Sequence, residues 1–123
     1  MNLLIPDIRA RLEANGRDPD ADHVPVAKFF NPLGVGVWLA TQLDQDGDTL
    51  WGLADLDMDC IEYGTFSLAE LQELDVGLGL GIERDILFET STRWSTWLEV
   101  ANRVRSLRAA ERIIARLERE AGR

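Results

Sequence analysis

The spacing of apolar positions changes several times along the chain, and each change predicts a different element. Leu4, Ile8 and Leu12 recur every four residues, which predicts a short amphipathic helix over 5–13. Asn15-Gly16 should close it, because both residues tolerate a positive φ. Residues 17–23 are polar and carry turn chemistry. From residue 24 the period shortens. The stretch 24–30 reads as extended, with Pro25 placing it at a sheet edge or strand start. After the turn Asn31-Pro32-Leu33-Gly34, the apolar runs 35–43 and 49–56 flank Asp44-Gln45-Asp46-Gly47-Asp48, a hairpin loop built around Asp-Gly. A further strand is expected over 61–66. Ser67-Leu68-Ala69-Glu70 is a capping box, so a short helix should run to about Asp75. The glycines at 77, 79 and 81 break it, and 82–88 returns as a strand.

The last third has a helical period. Val100, Val104, Leu107, Ile114 and Leu117 follow spacings of four, three, seven and three, with Trp97 one turn earlier. A continuous helix over 92–121 would be about 45 Å long, more than a small β-body needs to cover itself. Part of it is therefore expected to project and to form a homodimer through Trp97, Val100, Val104, Leu107, Ile114 and Leu117. The competing expectation is a helix packed along its own sheet. The fold class is α+β: a small, mostly antiparallel sheet with a short N-terminal helix, a short middle helix and a long C-terminal helix. Residues 1–90 form an acidic α+β domain. Residues 91–123 are a C-terminal amphipathic helix, either part of that domain or a projecting oligomerisation helix.

Composition narrows the function classes. A chain of 123 residues is long enough for one continuous core, and 46% apolar with 28% charged residues is ordinary for a globular domain. No apolar run approaches the ~20 residues of a membrane span. The start, Met1 to Asp7, lacks the features of a signal peptide, and Cys60 is the sole cysteine, so a cytoplasmic, reduced setting is expected. The net charge of -9 is uneven: residues 1–90 hold 5 Lys/Arg against 18 Asp/Glu, while residues 91–123 hold 8 Arg against 4 Glu. Such a body repels nucleic acid. Any nucleic-acid role would fall to the arginines at 103, 105, 108, 112, 116 and 119.

Candidate chemistry then reduces to carboxylates. Asp44, Asp46 and Asp48 match the first three ligand positions of a calcium loop, but Thr49 stands where glycine belongs and Asp55 where the bidentate glutamate belongs. A solvated hairpin tip is the better reading. Asp55, Asp57 and Asp59 alternate along a strand end, so their carboxylates would lie ~6.6 Å apart on one face and need solvent, a cation or a basic partner. Asp55, Asp57 and Glu62 are the set that a small metal-dependent hydrolase would use. In Glu83-Arg84-Asp85, the arginine either pairs with its neighbours or orients a ligand or partner carboxylate. His23 is the only histidine and has no local nucleophile partner, and Cys60 is expected to pack as a small hydrophobe. The glycines at 77, 79 and 81 do not form a dinucleotide fingerprint. Nothing here calls for a cofactor, a metal ion or a catalytic residue.

The middle of the chain resembles a known family. The residues that carry the resemblance are the run from Pro25 to Gly34, Trp38-Leu39-Ala40-Thr41, Trp51-Gly52-Leu53-Ala54-Asp55-Leu56, Cys60-Ile61-Glu62-Tyr63-Gly64, Ser67 to Leu71, and Gly81 to Asp85. In this order, over residues 3–90, they are similar to the uncharacterised bacterial DUF2958 family. The resemblance implies a compact α+β domain and a setting on mobile genetic elements, with the helix after residue 91 outside the shared part. The expected function is a non-catalytic, protein-binding accessory factor whose acidic surface meets a basic partner. Asp44, Asp46, Asp48, Asp55, Asp57, Asp59, Glu62, Glu83, Arg84 and Asp85 are its candidate contacts. A DNA-mimic inhibitor of a nucleic-acid enzyme and the metal-dependent hydrolase are the alternatives.

Overall fold

The structure is a computed structural model that describes residues 2–58 and 60–122. Its elements are α1 (Pro6–Gly16), β1 (Ala27–Phe30), β2 (Val37–Leu43), β3 (Thr49–Asp55), β4 (Glu62–Ser67), α2 (Leu68–Glu73), β5 (Asp75–Gly77), β6 (Leu80–Gly81), β7 (Glu83–Arg84), α3 (Trp94–Val104) and α4 (Leu107–Ala121). Five strands form one antiparallel sheet in the order β4-β3-β2-β1-β7, and β5 pairs with β6 in a separate small hairpin. The α+β class and the three helical regions are as the sequence pattern predicts.

The sheet is covered on both faces. Every residue of β2 is buried, as befits the central strand. Its side chains alternate between two cores. Trp38 and Ala40 join Phe29, Leu50, Leu68 and Leu71 under α1 and α2, whereas Val37 and Leu39 join Leu53, Ile61, Trp97, Ala101, Leu107 and Ile114 under α3 and α4. A bulge between Ala40 and Gln42 inserts one residue and reverses the alternation, so Leu43 shares the first face with Ala40. Opposite the bulge the two strands are so close that a Cβ on Gly52 would lie 1.8 Å from the Leu39 carbonyl oxygen. Gly16 meets a similar constraint. It is still helical, and a side chain there would strike the Leu43 carbonyl at 2.1 Å. Close approach rather than a positive φ selects glycine at α1's end.

Three expectations are corrected: the unbroken C-terminal helix, the strand over 82–88 and the packed Cys60. The C-terminal helix is not continuous: Arg105 adopts a left-handed conformation (φ 57) and Ser106 caps a new helix through Ala109 N–H. The two helices fold onto the sheet, and the heptad seam is spent largely inside the molecule. Trp97, Leu107 and Ile114 are 1% exposed and Val100 packs against the second core, leaving Val104 and Leu117 at 40% and 55%. Residues 82–88 hold only the two-residue β7, followed by a turn closed by Phe88 N–H to the Asp85 carbonyl. Cys60 is exposed rather than packed, its thiol 3.6 Å from a Glu62 oxygen.

Candidate functional site

The candidate acids do not converge, and most have a structural occupation. Asp44 accepts the Trp51 indole N–H at 3.1 and 3.2 Å. Asp46 folds back on the hairpin tip and accepts from Asp48 N–H, Thr49 N–H and the Thr49 hydroxyl. Those bonds, the Thr49 hydroxyl foremost, hold its carboxyl below the ordinary aspartate range. The calcium-loop look-alike is thus a turn that satisfies its own amides. Asp48 accepts the Ser67 hydroxyl and Ala69 N–H at α2's N-terminus. Asp55 accepts Asp57 N–H at 3.0 Å and Leu107 N–H at 2.8 Å, at the start of α4. Asp22, in the connector before β1, does the same for α3 through Ser95.

Neither α3 nor α4 has an acid in its own first turn. Their exposed N–H groups and positive dipole ends are met instead by Asp22 and Asp55, more than fifty residues away. Helix termini and turns thus engage Asp22, Asp46, Asp48 and Asp55. Among the described residues, the arginine ion pairs are Arg103–Glu99 and Arg116–Glu120, both within a helix.

The remaining described candidates sit at one end of the sheet. Register aligns Glu83 with Phe30, Phe30 with Val37 and Val37 with Asp55. Asp44, Asp46 and Asp48 lie at the opposite end of β3, ~20 Å away at the normal strand rise. Asp57 is exposed with φ 61 beside Arg105. Asp59 lies outside the described residues. Glu62 is exposed at the β4 edge. Among the described residues no three His, Cys, Asp or Glu side chains are grouped to hold a metal ion. His23 bonds through Nε2 to the Asp18 carbonyl at 2.7 Å, in a different hollow from Cys60.

A groove of about 670 Å³ lies between this end of the sheet and α4. Its floor is Lys28 and Phe30 of β1, and the Asn31-Pro32 turn closes one end. One wall is Glu83 to Leu87, and the other is Arg108, Glu111 and Arg112 of α4. Lys28, mostly buried, joins the walls: its Nζ lies 2.6 Å from Glu111 and 3.5 Å from Asp85. Asp85 also holds the following turn by accepting Leu87 N–H. That turn pushes Ile86 and Leu87 outward, 78% and 85% exposed. Arg108 braces the β1–β2 turn by donating to the Gly34 carbonyl at 3.0 Å. A second hollow continues past Asn31, Pro32 and Arg108 to Asp55, Asp57 and Arg105.

Of these lining residues, the sequence pattern singles out Glu83, Arg84 and Asp85 as partner contacts, and names Arg108 and Arg112 only among the helix arginines that a nucleic-acid role would use. Lys28, Glu111, Ile86 and Leu87 are missed. Residues 28 and 111 are distant in the chain and meet only because α4 folds back at Arg105. No local signal marks Ile86 and Leu87, whose composition is that of a strand.

No curated protein and no solved structure matches the chain. A family described as "Protein of unknown function (DUF2958)" matches residues 3–108. The match passes the expected limit at residue 90 and takes in all of α3 and the first two residues of α4. The chain belongs to the DUF2958 family.

Proposed function

We propose that this protein is a non-catalytic accessory factor that binds another protein, with a segment of the partner seated in the groove between β7 and α4. One observation carries this reading: two large aliphatic side chains, Ile86 and Leu87, are held out to solvent on a turn that is itself fixed by Asp85, beside a groove rich in charged donors. Exposed aliphatics on a rigid rim next to polar groups are the composition of a binding surface. A hydrolytic role for Asp55, Asp57 and Glu62 draws less support, since both Asp55 oxygens are engaged by backbone N–H groups. The version in which acids meet a basic partner rests on the net charge of -9, because Asp44, Asp46, Asp48 and Asp55 already serve turns and helix ends.

The test is affinity capture from the native host with wild-type and Leu87→Glu baits. The expected result is a specific protein retained by the wild type and lost by the variant, whose melting temperature should be unchanged. Identical retained proteins from both baits would refute the groove as the docking surface.

A further inference from the structure

We infer that the occupant of the groove is an acidic protein segment, its carboxylates received by Arg84, Arg108 and Arg112. This rests on the protein-binding reading above and adds the chemistry of the partner. In the whole chain acids outnumber bases, 22 to 13, yet the groove reverses that balance, with four cations against three acids. Lys28 is committed to Asp85 and Glu111. Among the described residues, none of the three arginines forms a salt bridge.

Their placement is electrostatically unfavourable in the free protein. Arg108 and Arg112 stand at i and i+4 on α4, where like charges repel. Arg108 also lies in the first turn, where the helix dipole disfavours a cation; that turn holds no acid of its own, and the Asp55 carboxylate that meets this end is engaged by Leu107 N–H. Arg84 lines the same groove from β7. A carboxylate bound among these guanidiniums would relieve both effects and accept forked hydrogen bonds. Nucleic acid would carry negative charge too, but a long polyanion must pass a body of net charge -9. A short acidic segment reaches the groove without doing so. Ile86 and Leu87 on the rim add a contact for an apolar residue within that segment.

The experiment uses a displayed library of random twelve-residue peptides, selected in parallel against the wild type and an Arg84→Gln/Arg108→Gln/Arg112→Gln variant. The expected outcome is enrichment of Asp and Glu in the wild-type selection alone. The best acidic peptide should lose 10-fold or more in affinity for the triple variant and weaken with added salt, while Arg103→Gln leaves it unchanged. Arg112→Gln alone should give a smaller loss, and it keeps the Arg108 brace. Basic or neutral peptides that depend on Leu87 would overturn the acidic preference and uphold the groove. Acidic peptides that bind the triple variant equally well overturn the inference, as does a selection that returns nothing above background. Peptides indifferent to both Leu87 and the arginines would sink this inference and the protein-binding reading together.

Discussion

Replacing Asp55 tests whether the acids at the sheet's end are structural. Its carboxylate bridges β3 to the first turn of α4, accepting Leu107 N–H at 2.8 Å and Asp57 N–H at 3.0 Å. Asp55→Ala removes a capping acceptor worth about 0.5–2 kcal/mol and a charge at a helix N-terminus worth about 0.3–1 kcal/mol. Ser106 still caps Ala109 N–H, so α4 does not lose all of its N-terminal bonds. The net loss should be about 2 kcal/mol, which for a chain of this length lowers Tm by about 8 °C. Asp55→Asn keeps one acceptor oxygen, loses the charge and turns an amide NH2 toward the second N–H, so it should cost nearly as much as Asp55→Ala. Urea unfolding at neutral pH, followed by tryptophan fluorescence, measures both, and neither EDTA nor magnesium should alter the difference. An Asp55→Ala variant within about 0.5 kcal/mol of wild type, or a loss that appears only with magnesium present, would refute a capping role.

Other positions give independent checks. Burial alone would raise the Glu118 carboxyl, but bonds from Thr90, Thr92 and Ser91 outweigh it and hold it below the ordinary glutamate range. A depressed folded value means the stabilisation is present above the unfolded value of about 4.3 and is lost as pH falls through the folded one. The wild type should therefore exceed Glu118→Gln by about 1 kcal/mol at neutral pH, with the gap closing in acid; a gap independent of pH in urea titrations would contradict this. Gly52→Ala places a methyl against the Leu39 carbonyl and should cost more than about 3 kcal/mol in the same assay. Arg105→Gly relieves a left-handed conformation and should raise stability by about 0.5–1 kcal/mol; a lower Tm would show that the side chain supports the fold.

Strands β1 to β4 and the first two helices were legible because their signals are local, whereas β5, β6 and the short β7 were not. Examples are Asp-Gly between two apolar runs, and a capping box whose Ser67 accepts Glu70 N–H as the pattern requires. The break at Arg105 was not legible. Arginine is a good helix former, and Ser106 resembles any polar residue on a helix surface until the turn it caps is seen. Missing that break kept the seam in one rod and hid the groove. The acids were legible as a cluster in composition but not in space. Their occupations at α2, α3 and α4 depend on tertiary contacts that span up to 73 residues. The second core shows the same limit. Tyr63 stacks on Trp94 at 3.8 Å and on Trp51 at 6.0 Å, joining β4, α3 and β3, which no spacing rule brings together.

Native-state hydrogen exchange on the intact chain tests most directly whether α3 and α4 are part of the sheet's own core and build the groove wall. Amides of Ala101, Ala110 and Ile114 should exchange only through the same global opening as those of Leu39 and Leu53, with equal opening free energies. Helix amides that exchange orders of magnitude faster than the strand amides would mean that the C-terminal helices stand apart from the sheet, and the groove would not exist.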